Sequence, residues 1–397
     1  MIVTLYFYQF LFVFGFFKLT HSNTTKINYF SYENSESSIV RRKRAILRKQ
    51  DFQWTFPISY YVSKGVNADY VNLAIKGIEK ETCIRFKKID SLVNATGLNF
   101  VSNQGCSSFA GRVENTTYQE VGIVSGCNTT AWIQHMILHS LGLLHEEDRP
   151  DRNRYVIIKK GNIIKKKISS FNKNTPNEVK TYNLMYDYGS LMQSNGTAFS
   201  KNGQPTVVPI NRHFNRRIGF ARGLSFNDAK LLNLHYCYSK CPIKQICDNL
   251  GYSNPNDCTR CKCPGNYMGR NCELIGPNSP GCGRVYLRGT LNAKYLRVGG
   301  VKNCHYQIKT FPRSRIRMLI ESANLPTPKH CVINTGLEIK YFRDKTVMGA
   351  TYCGIFYYHE LTSAGYHVSI HYNGFEPKNY FKLKYWRRRP RIYYGGV

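Results

Sequence analysis

The sequence predicts three unlike units in one chain: an α+β first domain, a small disulfide-rich module and an all-β sandwich. Three observations carry this. Helical and strand periods are mixed between Ile58 and Cys237, six cysteines crowd into 241–272, and short alternating runs dominate from Cys282 onward. At 397 residues the chain exceeds one ordinary core, so two or three domains are expected. Hydrophobic residues at 42% and aromatics at 14% are values of a globular chain, not a disordered one.

The order begins with Ile2 to Phe17, a nearly unbroken apolar run followed by polar Lys18 to Ser22. This is the length of a signal-peptide core and short for a bilayer span, so 1–22 reads as a signal peptide. The basic start that usually precedes such a core is absent, which leaves an uncleaved anchor as the alternative. Residues 23–44 carry no period long enough to fold alone and end in Arg41-Arg42-Lys43-Arg44. Between a signal and the first globular pattern, that tetrabasic run reads as a propeptide cut after Arg44. An exposed basic loop is the plainer alternative.

From 45 to 237 the elements alternate. Ile58, Tyr60 and Val62 have a strand's period, and Asn67 or Asp69 can cap a helix with Val71, Ala74, Ile75 and Ile78 on one face. Leu98 and Phe100 mark another strand. Ala131 to Leu141 reads as an apolar helix with Thr129 or Thr130 as N-cap and Gly142 as its stop.

Residues 241–272 hold Cys241, Cys247, Cys258, Cys261, Cys263 and Cys272 with little apolar content, so bridges must hold the segment. The closing Cys261-x-Cys263-x8-Cys272, with Gly265, Tyr267 and Gly269, resembles an EGF-like module. After the Gly276 to Gly281 linker, residues 282–386 show alternating runs at Arg315 to Ile320, Leu337 to Tyr341 and Tyr366 to Tyr372. The pairs Cys282/Cys304 and Cys331/Cys353 resemble those of a CUB domain. A basic tail, 387–397, closes the chain.

Fourteen cysteines, an even number, behind an export signal read as a disulfide framework of up to seven bridges. Five Asn-x-Ser/Thr sequons, at Asn23, Asn94, Asn115, Asn128 and Asn195, fit a glycosylating secretory route. The expected location is therefore extracellular. A formal net charge of +32 would suggest nucleic acid inside a cell; outside it, anionic glycans or surfaces are the expected partners, with no nucleic acid and no membrane span.

The chemistry concentrates in His135-Met136-Ile137-Leu138-His139-Ser140-Leu141-Gly142-Leu143-Leu144-His145-Glu146. Histidines four apart on a helix project from one face, and a glycine that turns the chain can bring His145 round as a third ligand. Three neutral imidazoles with an open fourth position describe a catalytic-type site for one Zn2+ per chain. Three unrelated histidines on an amphipathic segment would be the alternative, but this register with a glycine stop is improbable by chance.

The run from His135 through Arg149-Pro150-Asp151-Arg152 resembles the signature of the astacin family of zinc metalloendopeptidases, within the metzincins. Glu81 to Phe86, the Met-turn-like Tyr186 to Met192, and Ile218-Gly219, Gly223 to Ser225, Asp228 and Cys237 extend the likeness. The resemblance implies a two-lobed metzincin domain followed by the EGF-like module and the CUB sandwich. It implies zinc on His135, His139 and His145 above Met192, with bridges Cys83–Cys237 and Cys106–Cys127. It also implies a buried Glu146 that pairs with the new ammonium of Ala45. Extracellular proteins or peptides would be met in the cleft and through the CUB domain.

Two positions depart from the family. Where the signature has a general-base glutamate, which takes a proton from the attacking water and delivers it to the leaving amine, this chain has Met136. Where the family has a tyrosine after the Met-turn, this chain has Ser194. A thioether carries no proton, and a serine is too short to replace a phenol. The expectation is a zinc-binding hydrolase relative with weak or no turnover, a pseudo-protease; residual proteolysis of extracellular proteins is the alternative. The propeptide also lacks the Phe-x-Gly-Asp segment that plugs the zinc in the family.

Overall fold

The computed structural model describes residues 45–93, 96–102, 104–215, 218–327 and 334–388, with the backbone alone of 29–31. The signal, the rest of the propeptide, Arg44, Asn23, Asn94, Cys331 and the tail from 389 lie outside the described residues.

The first lobe is a six-stranded sheet under two helices. Its strands are β1 (Tyr29–Ser31), β2 (Ile58–Val62), β3 (Phe86–Lys88), β4 (Gly97–Val101), β5 (Ser107–Phe109) and β6 (Tyr118–Gly122), in the order β1-β5-β6-β4-β2-β3. β3, β2, β4 and β6 run parallel; β5 is antiparallel to β6, and β1 to β5. Central β4 is buried along its whole length, as a strand covered on both faces must be. Helix α1 (Ala68–Glu81) starts at Asn67, whose side chain accepts from the Asp69 and Tyr70 amides. Its buried stripe is Val71, Ala74, Ile75 and Ile78. It packs on α2 (Thr130–Ser140) so closely that Gln134 Nε2 donates to the Ala74 carbonyl at 3.2 Å.

After α2 the second lobe is mostly irregular, held by short 3-10 turns and closed by α3 (Phe226–Tyr236). Ser225 and Asp228 cap α3 reciprocally, side chain to backbone in both directions. The bridge Cys83–Cys237 ties the end of α3 to the first lobe, and Cys106–Cys127 braces the loops before α2.

The disulfide-rich segment carries Cys241–Cys258, Cys247–Cys261 and Cys263–Cys272, and its small core is Cys261, Tyr267 and Cys272. The C-terminal region is β-rich, with nine strands in two sheets. They are β7 (Tyr286–Arg288), β8 (Lys294–Gly299), β9 (Lys302–Lys309), β10 (Arg315–Asn324), β11 (Gly336–Lys340), β12 (Ala350–Tyr352), β13 (Ile355–Thr362), β14 (His367–Gly374) and β15 (Tyr380–Arg388). One sheet has the order β7-β9-β14-β11-β12 and the other β8-β15-β10-β13. Cys282–Cys304 pins its start, and Cys353 is disulfide-bonded.

Two expectations change. Arg387 and Arg388 belong to β15, opposite Ile316 and Arg315, so the last strand continues past 386. Their charge hides the alternation, yet the ladder holds both backbones and the Arg387 guanidinium packs 4.7 Å from the Phe311 ring centroid. The sandwich is also not a detached unit. One continuous core contains Tyr186, Tyr188, Phe214 and Ile218 of the second lobe together with the sandwich interior, whereas the first-lobe core is separate from it and takes in Leu191, Met192, Leu231 and Leu232. At this seam Phe214 stacks on Tyr188 with centroids 4.3 Å apart and on Phe342 at 5.6 Å.

Candidate metal centre

Helix α2 exists because Thr129 caps it, its side chain accepting from the Trp132 amide, and because every residue from Ile133 to Ser140 is buried. Gly142 ends it at φ +89°, with its amide donating to the His139 carbonyl at 2.7 Å and the Leu143 amide to Leu138 at 2.9 Å. Only glycine takes that conformation without strain, and a Cβ there would also meet Gln50 Nε2 at 2.9 Å. The reversal carries His145 back towards the helix.

His135, His139 and His145 therefore converge, each offering a ligand nitrogen, all within 4.8 Å of one another. His135 and His139 are buried and His145 is half-buried. His135 Nδ1 faces the Leu191 carbonyl at 2.9 Å and His139 Nδ1 the Leu143 carbonyl at 2.8 Å. A carbonyl only accepts, so both Nδ1 atoms carry the proton and both Nε2 lone pairs point inward. His145 Nε2 lies 3.3 Å from His135 Nε2, while its Nδ1 is 3.6 Å from the Glu147 carboxylate. Neutral, oriented imidazoles packed this closely suit one Zn2+.

The second lobe supplies the floor. Met192 is buried, and its carbonyl accepts from the Glu146 amide at 3.0 Å. Asp228, beyond capping α3, accepts from Ser190 Oγ at 2.6 Å and from the Leu191 amide at 2.8 Å. The chain of contact is thus Asp228, Leu191, His135. Glu147 has a similar part, taking hydrogen bonds from Gln193 Nε2 and the Ser194 amide, both at 3.1 Å, beside His145. Nothing in the sequence around Glu147 announces this role. Its neighbours are 46 and 47 residues away, and no local pattern announces them. Asp228 was findable in part, since Ser225-x-x-Asp228 is a capping box.

Glu146 accepts from Arg149 Nη1 at 3.1 Å and from the Asp187 amide at 2.9 Å. Burial opposes the Arg149 charge, but Glu146 and Asp151 outweigh it and hold its pKa above the ordinary value. Ala45 lies buried with its carbonyl accepting from the Leu144 amide at 2.8 Å. Asp187 is pushed up to about 6, first by burial and then by Asp228 and Glu146. Its Oδ1 accepts from the Gly189 amide and, across the seam, from the Met348 amide, both at 3.1 Å.

Met136 is only 3% exposed and belongs to the first-lobe core with Ile137, Leu138 and Met192. Ser194 is half-buried, its amide held by Glu147. Of the sequons, Asn115 is exposed, and Asn128 and Asn195 are half-buried. Asn195 Oδ1 accepts from the Thr197 amide at 2.9 Å.

A two-lobed domain with three inward histidines on a helix and its return loop defines a zinc metalloprotease fold of the metzincin class. The astacin family of peptidases matches residues 46–237. The chain belongs to that family, in its nematode type. It is 36% identical to zinc metalloproteinase nas-34 of Caenorhabditis elegans over 79% of this chain and 52% of that protein. It is 34% identical to zinc metalloproteinase nas-23 of the same organism, over 69% and 52%. The chain thus spans about half the length of these curated relatives. High choriolytic enzyme 1, a hatching enzyme zinc-protease of the medaka Oryzias latipes, is 32% identical, covering 45% of this chain and 88% of that one with a TM-score of 0.40.

Proposed function

We propose that this chain is a secreted, zinc-binding astacin relative that has kept its metal centre and lost most or all of its peptide hydrolysis. The observation that carries this is Met136, placed directly after the first ligand and packed into the apolar core, where the reaction needs a proton carrier. Zinc, when bound, supplies Lewis acidity and makes water a better nucleophile near neutral pH. What the chain itself contributes is positioning. His135, His139 and His145 hold the ion, Leu191 and Leu143 fix two of the rings, and Glu147 orients the third. Nothing at position 136 takes a proton from water or returns one to a leaving amine. Ser194 offers no phenol to the developing oxyanion.

In this reading the signal and propeptide are removed, with the cut after Arg44, and the ammonium of Ala45 pairs with Glu146. The buried position of Ala45 beside Leu144 supports that pairing. The units are an astacin-like domain at 45–237, an EGF-like module at 241–272 supported by its three bridges, and a CUB domain from 282 supported by its two sheets. Extracellular proteins or peptides are bound in the cleft and by the CUB domain. Among the described residues, no helix is long and apolar enough to cross a membrane.

The test is zinc content and casein turnover of the protein cleaved after Arg44, beside Met136→Glu/Ser194→Tyr. Restoring acid–base help should raise turnover by about 10²–10⁴-fold with unchanged zinc content. Wild-type turnover equal to that of the double variant, and abolished by chelation, would establish the alternative, a working endopeptidase. Folded protein without zinc would remove both readings.

A further inference from the structure

The two sheets of the sandwich have very different outer faces. On the β7-β9-β14-β11-β12 sheet four of the outward side chains, His305, Gln307, Ser369 and His371, are buried. The disulfide-rich module covers part of them: Asn266 Nδ2 donates to Ser369 Oγ and Tyr267 Oη meets His367 Nε2, both at 3.0 Å. The β8-β15-β10-β13 sheet instead turns a row of cations and rings to solvent. Strand register sets Tyr295 beside Lys384, Arg297 beside Lys382, Arg317 beside Trp386 and Arg315 beside Arg388. The alternate residues Leu296, Met318, Ile320 and Leu383 face the core, so the outward set is fixed.

Charge on this face is heavily one-sided. Its carboxylates are already engaged by cations of the same face: Glu321 pairs with Lys382 at 2.6 Å and Glu360 with Arg317. Arg297, Lys384 and Arg315 make no ion pair among the described residues. The cations cluster round rings, with Lys382, Arg297 and Lys384 at 5.4, 5.5 and 5.9 Å from the Tyr295 centroid and Arg317 at 5.6 Å from that of Trp386. Tyr295 is itself 48% exposed.

We propose that this face binds a sulfated polysaccharide. Strands about 4.8 Å apart, with outward residues about 7 Å apart along each, give a flat grid of positive charge. A flat grid suits a linear polyanion that lies across several strands, not a small anion, which needs a concave site. The exposed Tyr295 and the half-buried Trp386, set among these cations, offer apolar ring surface against which a sugar can rest. The disulfides place the protein's chemistry in an oxidising compartment, where sulfated glycans rather than nucleic acids are the abundant polyanions. The proposal is independent of whether the zinc centre turns over.

Binding of the full chain to immobilised heparin, fully desulfated heparin, single-stranded DNA and vesicles of equimolar phosphatidylserine and phosphatidylcholine tests it. Heparin should bind best and desulfated heparin should not bind. The triple variant Arg297→Ser/Lys384→Ser/Arg315→Ser should lose about 10- to 100-fold in heparin affinity near physiological salt and show a shallower salt dependence. Lys159→Ser/Lys160→Ser/Lys165→Ser removes as much charge from exposed positions elsewhere and should lose only a small fraction of that. Equal losses in the two triples would reduce the effect to bulk charge and overturn the proposal. So would full binding by the first triple, or DNA or vesicles binding as tightly as heparin.

Discussion

The two lobes that meet at the zinc centre are held by different neighbours. The first lobe closes its core without the sandwich, with Ile58, Ile78, Phe100 and Ile137 joined from the second lobe by Leu191, Met192, Leu231 and Leu232. The second lobe does not: Tyr186, Tyr188 and Phe214 share one core with the sandwich. The metal helix with His135 and His139 rests on the first-lobe core, whereas the floor of the site is divided: Tyr186 and Tyr188 lie in the core shared with the sandwich, and Leu191 and Met192 in that of the first lobe. The difference teaches that the ligands and their support can fail separately. A perturbation of the sandwich should reach the Tyr186–Tyr188 end of the floor before it reaches the helix.

The largest test of that asymmetry is Phe214→Ala, which empties the seam between Tyr188 and Phe342. It should destabilise by about 3–5 kcal/mol. In calorimetry and hydrogen exchange the second lobe and sandwich should lose protection together while the first-lobe sheet keeps its own. Uniform loss over both lobes would break the comparison.

Next comes Asp187. Its carboxyl is pushed up to about 6 in the folded chain against an ordinary 3.8. The folded state therefore prefers the protonated form, so the group costs nothing below about pH 4, and stability falls as pH rises through about 6. The full effect is at most about 3 kcal/mol above that window. Asp187→Asn keeps an acceptor for Met348 and should flatten this part of the melting-temperature profile between acid and neutral pH. A variant with the wild-type slope would show that Asp187 does not sense the seam.

The smallest expected effect is on the metal. Asp228→Asn leaves every ligand in place but weakens the hold on Ser190 and Leu191, and through Leu191 on His135. Zinc affinity should fall by about 10- to 100-fold in competition with a chelator, because outer partners of a ligand act through its orientation. Unchanged affinity would mean that the helix alone sets the His135 ring.

Local chemistry explains what was legible in the sequence. Histidines four apart on a capped helix, with a glycine reversal before the third, are a short-range pattern, and so are the helix α1 stripe and the alternation of the late strands. Glu147 and the seam were not legible, because they depend on partners far away in sequence. Phe214, Tyr188 and Phe342 read as ordinary apolar residues until the fold brings them together. Arg387 and Arg388 read as a loose tail because charge masked the last two positions of β15.

Gly189 has a further consequence. A Cβ there would fall 1.5 Å from Met348 Sδ, so the turn below the zinc and a loop of the sandwich are shaped to each other. Lineages that exchange modules by recombination near Cys237 would inherit one half of that fit without the other. Positions 189 and 348 should therefore change in concert among descendants of this architecture, and a transplanted sandwich should need a matching residue at 189 before the hybrid folds well.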